Sequence, residues 1–248
     1  PFSSGVSKLP PMGMVRLLMP SEGRIFMLMD GPISTCICDG MTLEVVLGQL
    51  VTLFRDGQQV RMSKRTGEMI TFRELIDEVG VDATRYMMLS KSSDQSIDFD
   101  IEVAKKKDAS NPVYYVQYAH ARICSILRKA AEARGISTEN ASVADLVYAL
   151  QIATADLSVL THESELDLMR KMADFTDLIA GAARDRAPFR LTHYAQDLAS
   201  LFHSFYTNCR VIGEEEAVEQ ARLALADSAR IVLALTLNLL GVSAPERM

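Results

Sequence analysis

Apolar residues recur with helical spacing through the second half of the chain. From residue 111 onward they return at steps of three and four, which places them on one face of an α-helix. Asn111-Pro112 marks a helix start, because Asn caps a first turn and Pro is favoured at the first helical position. We predict one helix from 112 to Gly135, a polar linker over 136–145, and further helices at 145–158, 164–184, 192–210 and 215–240. Ala-rich helices of this length predict a helical bundle.

The first part of the chain has a different pattern. Residues 1–41 lack a regular spacing and are expected to form short strands and turns. Residues 43–54 are β-branched and apolar, and the Asp-Gly pair after them predicts a hairpin into a second strand at 59–62. Residues 92–108 are predicted to form a polar loop that leads into a short basic helix.

Two short helices are predicted between the hairpin and the bundle. Thr71 and Glu74 have the spacing of a capping box, and Gly80 is expected to end this first helix. Asp82 is expected to cap the second helix, with Tyr86, Met87 and Leu89 facing inward.

Composition and charge narrow the class of protein. Of the 248 residues, 48% are hydrophobic and 6% aromatic, which favours packed helices over a β-sandwich. The formal net charge of −6 means that nucleic acid would be bound by local patches and base stacking rather than by a basic field. The chain has no uninterrupted apolar stretch of about 18 residues, the length that a membrane span needs. We therefore expect a cytoplasmic protein that binds neither membrane nor DNA.

The four cysteines give no sign of a metal site. Cys124 and Cys209 lie within helical patterns, as expected of reduced, buried thiols. Cys36 and Cys38 form a C-x-C pair without a second pair or a nearby His, so no protein-bound metal is predicted.

The stretch VRMSKRTG, residues 60–67, combines two cations with small hydroxyl groups. Lys64 and Arg65 stand between Ser63 and Thr66, and Gly67 follows. Side chains of this kind in a Gly-containing loop can receive a phosphate group. The same residues are also typical of an ordinary solvated turn.

The first helix of the predicted bundle places aromatic and cationic side chains together. Tyr115, Tyr118 and Arg122 are three and four residues apart, so they share a helix face. Tyrosine rings can stack on unpaired RNA bases. Tyrosines at this spacing are more often core residues of a helix, so the residues alone favour the core interpretation, with RNA binding as the alternative.

Several stretches together resemble the bacterial arginyl-tRNA synthetases. They are VVLGQLVTLFRDGQQVRMSKRTG, DATRYMMLSKSSDQSIDFD, NPVYYVQYAHARICSILRKA, FHSFYTNCRVI and APERM, and they run from about residue 42 to the last residue. The implied fold class is mainly α, an all-helical anticodon-binding bundle preceded by a small α/β remnant of a class I nucleotide-binding domain. The implied domains are a partial catalytic segment (1–70, with 1–41 not recognisable), a helical connecting module (71–110) and an anticodon-binding domain (111–248).

The resemblance also implies roles for residues. RMSKRTG resembles the KMSKS-type loop that closes over ATP, which implies ATP contacts from Met62, Ser63, Lys64 and Arg65. Lys64 is the implied catalytic residue, because an ammonium group there would stabilise the departing pyrophosphate. ATP is expected as its Mg²⁺ complex, a substrate rather than a resident cofactor.

In the bundle, the resemblance implies contacts with the tRNA anticodon. The residues at the matching positions are Tyr115, Tyr118, Arg122, Tyr206 and Met248. Phosphate contacts are expected from scattered cations, among them Arg128, Lys129, Arg134 and Arg210. The implied partners are tRNA and, in a complete enzyme, ATP and arginine; a monomer is expected.

A complete class I synthetase also has a HIGH-type signature, which does not occur in this sequence. We therefore expect a fragment or a truncated relative of an arginine–tRNA ligase that cannot activate arginine alone. It would supply the loop for the leaving group and the recognition of the anticodon. One alternative is a non-catalytic tRNA-binding helical module derived from a synthetase. Another is a helical protein-interaction domain without a role in RNA binding.

Overall fold

The computed structural model describes residues 16–18, 26–28, 34–39, 42–60 and 70–248, with side-chain detail from residue 48 onward. The chain divides into two compact units. The first comprises Pro1–Thr52 and Ser93–Asp98, and the second comprises Leu53–Ser92 and Phe99–Met248.

The first strands form an antiparallel sheet in which each strand pairs with the next along the chain. They are β1 (Arg16–Leu18), β2 (Phe26–Leu28), β3 (Ser34–Asp39) and β4 (Thr42–Leu47). The stretch 43–54, predicted as one strand, is divided between β4 and β5 (Val51–Arg55). The break begins at Gly48, a residue type that is depleted in strands.

A second sheet has the order β6-β5-β7, with β6 at Gln58–Gln59 and β7 at Ile97–Asp100. The predicted hairpin turn is confirmed, because Asp56 and Gly57 both have positive φ, at 51° and 73°. Of the predicted second strand, 59–62, Gln59 lies in β6 and Val60 follows the strand, while 61–62 lie outside the described residues. Strand β7 was not predicted, since its aspartates favour a loop, yet Phe99 within it is fully buried.

Short helices connect these strands to the bundle: α1 (Phe72–Val79), α2 (Val81–Met88) and α3 (Ile101–Lys105). The predicted capping box is confirmed. Thr71 Oγ1 accepts a hydrogen bond from the backbone N–H of Glu74 at 3.2 Å, and the Glu74 carboxylate accepts one from the backbone N–H of Thr71 at 2.7 Å. These bonds satisfy backbone donors that a helix start leaves free.

The predicted cap of α2 is wrong. Gly80 occupies the capping position, and no side chain caps this helix. Asp82 instead accepts a hydrogen bond from Gln117 Nε2 at 2.8 Å. Tyr86 is fully buried, as expected, and its hydroxyl donates to the backbone carbonyl of Thr192 at 2.8 Å.

The remaining helices form a bundle, and the mainly α class is confirmed. They are α4 (Pro112–Ala133), α5 (Val143–Leu150), α6 (Glu163–Ala173), α7 (Phe175–Arg184), α8 (Phe189–Asn208) and α9 (Glu216–Leu239). Asn111 caps α4 by accepting a hydrogen bond from Val113 N at 3.2 Å. Helices α4, α8 and α9 pack against one another, and their fully buried side chains include Ile123, Leu198, Phe202 and Leu233.

Two predicted helices are shorter than expected. The helix predicted over 145–158 ends at Gln151, whose left-handed backbone (φ 54°) stops the α-helical pattern, and two 3₁₀ turns follow at Ile152–Thr154 and Leu157–Val159. The helix predicted over 164–184 is divided at Asp174, where ψ of −9° departs from the helical value of about −42°.

Both cysteines of the bundle are buried free thiols, as predicted. Burial raises the pKa of Cys124 to about 11, so this thiol stays protonated and unreactive near neutral pH. Within the part of the chain that the structure describes, every helix is too short or too polar to span a lipid bilayer.

Candidate nucleic-acid interface

An open groove lies between α4, α8 and the last residues of the chain. Its volume is about 580 Å³, and its lining includes Tyr118, Arg122, Lys129, Tyr206, Arg247 and Met248. Residues far apart in the sequence thus meet at one surface. It has the combination of aromatic and cationic side chains that binding of single-stranded RNA requires.

Two tyrosines and one arginine form the centre of the groove. Arg122 Nη1 donates a hydrogen bond to the Tyr118 hydroxyl at 2.8 Å, and its guanidinium carbon lies 4.6 Å from the centroid of the Tyr206 ring. The cation–π contact fixes the guanidinium against Tyr206. Tyr118 remains 37% exposed, although the ring of Tyr114 stacks on it with 6.2 Å between centroids, so part of its side chain is open to a ligand.

A histidine supports this centre from α8. The ring centroid of His203 lies 6.2 Å from that of Tyr118 and 5.1 Å from that of Tyr115. Burial, together with the charge of Arg122, lowers the pKa of His203. The imidazole is therefore neutral near pH 7 and adds no charge beside Arg122.

The structure brings four of the five predicted anticodon-contact residues together. Tyr118, Arg122, Tyr206 and Met248 all line the groove. Tyr115 does not line it, and its ring packs on that of His203 instead. As placed here, Tyr115 supports the groove.

The C-terminal segment, residues 241–248, is held along one side of α4. Gln117 Nε2 donates to the Ser243 carbonyl at 2.9 Å, and His120 Nδ1 lies 2.9 Å from the Pro245 carbonyl. Arg128 donates to the Glu246 carbonyl at 3.0 Å and pairs with its carboxylate at 2.5 Å. These contacts place the end of the segment, including Met248, at the groove.

The protonation of His120 suits its place in this contact. A carbonyl can only accept, so Nδ1 carries the proton that is donated to Pro245. Burial is the main cause that lowers the pKa of His120 and so favours the neutral ring, although the Pro245 carbonyl opposes this shift.

Positive charge is concentrated at the groove although the whole chain is acidic. Arg122, Lys129 and Arg247 line it, and a fourth cation, Arg128, is paired with Glu246. Of the other predicted phosphate contacts, Arg134 forms an ion pair with Glu219 at 2.8 Å and does not line the groove. With a net charge of −6, binding of nucleic acid depends on a local patch of cations, and the groove has such a patch.

Residue-level reasoning missed the side chains that hold the C-terminal segment. Gln117 is 8% exposed and occupies a position where the helical pattern expects an apolar residue. His120, 2% exposed on the same helix, is a second buried polar residue, and these two interruptions were the available signal. Their partners lie far away in the sequence, so the pattern could not name them.

The predicted ATP contacts Met62, Ser63, Lys64 and Arg65 lie within residues 61–69, outside the described residues. Their roles stay predictions. Among the side chains that the structure describes, no group of three or more His, Cys, Asp or Glu could hold a metal ion.

Comparison with known proteins defines the class first. Residues 116–248 match the family model of the DALR anticodon binding domain, which covers every residue of the groove. The chain belongs to this family.

The particular relatives are arginine–tRNA ligases, as the resemblance implied. The chain is 51% identical over 210 residues to the arginine–tRNA ligase of Heliobacterium modesticaldum, which is 85% of this chain and 36% of the relative. It is 50% identical over 210 residues to that of Moorella thermoacetica, covering 85% and 35%. The structure of Thermus thermophilus arginyl-tRNA synthetase matches with a TM-score of 0.58 and 29% identity, over 81% of this chain and 35% of that chain. The chain thus spans about a third of the length of the curated relatives it matches.

Proposed function

We propose that this chain is the anticodon-recognising part of an arginine–tRNA ligase, and that the groove between α4, α8 and the C-terminal segment receives the anticodon loop. The observation that carries this proposal is the meeting of Tyr118, Arg122, Tyr206 and Met248 in one groove. The match of residues 116–248 to the anticodon-binding family supports it.

Each side chain suits an unpaired RNA loop. The exposed ring of Tyr118 offers a stacking surface, and stacking contributes about 1–3 kcal/mol per base. Arg122 presents donors that can reach base edges or phosphates, while Met248 is exposed and apolar. Lys129 and Arg247 at the rim can neutralise phosphates. Stacking on Tyr118 would add affinity for any base, whereas the donors of Arg122 can discriminate between bases.

The whole enzyme would join arginine to its tRNA at the expense of ATP, used as the Mg²⁺ complex. In it, Lys64 would stabilise the departing pyrophosphate, with Met62, Ser63 and Arg65 in the same loop. We propose a cytoplasmic monomer whose pockets for arginine and ATP need residues beyond this chain. The isolated chain should therefore show no arginine-dependent exchange of pyrophosphate into ATP, and robust exchange would overturn this part of the proposal.

RNA binding tests the groove directly. Fluorescence anisotropy should compare a hairpin that carries an arginine anticodon with the same hairpin after substitution of its central anticodon base. We expect the chain to prefer the first by about tenfold, equivalent to about 1.4 kcal/mol. Tyr118→Ala should weaken binding of both hairpins, because stacking adds affinity for any base.

Tyr148→Ala is the matched control, because this tyrosine is 87% exposed on α5 and does not line the groove. It should bind both hairpins as the unmodified chain does. Equal binding of the two hairpins by the unmodified chain, or equal losses in the two tyrosine variants, would contradict the proposal.

A further inference from the structure

A cluster of hydrogen bonds outside the groove joins α2, α4 and the C-terminal segment. Gln117 Nε2 on α4 donates to Asp82 Oδ2 at 2.8 Å and to the Ser243 carbonyl at 2.9 Å. The backbone N–H of Ser243 donates to Asp82 Oδ1 at 3.2 Å, and its hydroxyl donates to Asp82 Oδ2. One carboxylate thus accepts three hydrogen bonds, two of them from the same residue of the C-terminal segment.

Asp82 contacts the C-terminal segment just after the turn that follows α9. Helix α9 ends at Leu239, and the chain turns at Gly241, whose φ of 68° is available to Gly at little cost. Ser243 is the first residue after this turn that side chains of α2 and α4 hold by hydrogen bonds. From Ser243 the segment continues along α4 to Met248 in the groove.

We propose that Asp82 is a positioning residue for anticodon recognition, which acts by fixing the C-terminal segment so that Met248 lines the groove. The inference rests on the proposed function. Asp82 does not itself line the groove, so its contribution to RNA binding would pass through the segment.

Contacts other than those of Asp82 hold α2 in the fold. The positioning role of Asp82 can therefore be distinguished from a general role in stability. Tyr86 on the same helix is fully buried, and its hydroxyl is bonded to Thr192 of α8. Leu75 on the preceding helix is also buried. Loss of the Asp82 carboxylate would therefore leave α2 docked and remove two of the hydrogen bonds that hold Ser243, leaving those from Gln117.

The test is a double-mutant cycle on RNA affinity. Asp82→Ala should weaken binding of the arginine-anticodon hairpin by about tenfold, the loss expected when a hydrogen-bonded charged group is removed. Met248→Ala should weaken binding as well. The combined variant should lose less affinity than the sum of the two single losses, because the Met248 contact that Asp82 positions is then already absent.

Two further variants keep the result interpretable. Ser243→Ala removes only the partner hydroxyl and should produce a smaller loss in the same direction, whether or not Asp82→Ala folds stably. Asp77→Ala, an exposed carboxylate on α1, is the matched control and should bind as the unmodified chain does. Circular dichroism should show the same helix content in every variant.

The inference is overturned if Asp82→Ala and Ser243→Ala bind like the unmodified chain. It is also overturned if Asp82→Ala weakens binding by the same factor in the unmodified chain and in Met248→Ala, since that additivity denotes a role that does not act through Met248. Failure of the unmodified chain to distinguish the hairpins would instead count against the proposed function itself.

Discussion

Two arginines of the bundle stand in opposite electrostatic settings. Arg222 on α9 pairs with the buried carboxylate of Glu165 at 2.7 Å and donates to the carbonyl of Arg210 at 2.7 Å. Arg122 on α4 contacts two tyrosine rings and a hydroxyl, and no carboxylate pairs with it among the residues that the structure describes. The first charge is neutralised within the fold, whereas the second faces a groove.

The difference shows which charges belong to the fold and which are available to a ligand. A buried ion pair leaves neither partner free to bind anything else, and its loss is felt as instability. A guanidinium held by aromatic rings keeps its charge for an approaching anion while its position stays fixed. The two arginines should therefore respond to substitution in opposite ways, one in folding and the other in RNA affinity.

The largest expected effect is on the free energy of unfolding. Glu165→Ala leaves Arg222 without its carboxylate in a site where Glu165 is 1% exposed, which should cost about 3–5 kcal/mol in the free energy of unfolding. Urea denaturation measures it. Asp167→Ala, which breaks an exposed pair with Arg170, should cost at most about 1 kcal/mol. Similar costs in the two variants would remove the contrast.

The next largest effect is expected on RNA affinity. Arg122→Met retains much of the side-chain length but removes the charge, and it should weaken binding of the arginine-anticodon hairpin by about 1–3 kcal/mol. Its free energy of unfolding should change by less than that of Glu165→Ala. Arg170→Met is the control, because this exposed arginine does not line the groove. A large loss of stability in Arg122→Met would place Arg122 with the structural charges.

His120 and His203 predict that the stability of the fold depends on pH. Their pKa values are lowered in the fold, mainly by burial. The unfolded chain binds protons at these rings below about pH 6.5, while the folded chain resists protonation, so acid favours unfolding. Stability should thus fall as pH is lowered from 7 to 5, by less than the effects above. The difference between the two pH values should shrink in His120→Gln, and an unchanged difference would contradict this cause.

The smallest effect is expected at the rim of the groove. Lys129 is exposed and lines it, so Lys129→Gln should reduce the dependence of log K on log salt by about 0.7, the value for one phosphate contact with single-stranded RNA. Lys107→Gln is the control, because Lys107 is exposed but does not line the groove. Salt titrations of hairpin binding measure both slopes. Equal slopes in the two variants would argue against a phosphate contact at Lys129.

Local interactions were predictable from the sequence, and distant ones were not. The capping box of Thr71 and Glu74 joins residues three positions apart, so the pattern contains both partners. Asp82 looked like a cap for the same reason, but its partners Gln117 and Ser243 lie 35 and 161 positions away. Gln151 ends α5 with a left-handed backbone. The sequence has no glycine at this position to predict that conformation.

The candidate site was found by resemblance more than by pattern. Spacing placed Tyr115, Tyr118 and Arg122 on one helix face, but only the family likeness added Tyr206 and Met248 from elsewhere in the chain. In the structure, Tyr115 lies outside the groove. Three residues along an α-helix correspond to a rotation of about 300°, so Tyr115 and Tyr118 leave α4 in directions about 60° apart. The role of Lys64 stays a prediction, since its loop lies outside the described residues.

The most direct test of the central claim is to locate a bound anticodon on the chain. A tRNA or hairpin with 4-thiouridine placed at an anticodon position can be photo-crosslinked to the protein, and the attached peptide can be identified by mass spectrometry. We predict crosslinks in peptides that carry Tyr118, Tyr206 or Met248. Crosslinks confined to surfaces away from this groove, such as that of Tyr148 on α5, would contradict the account.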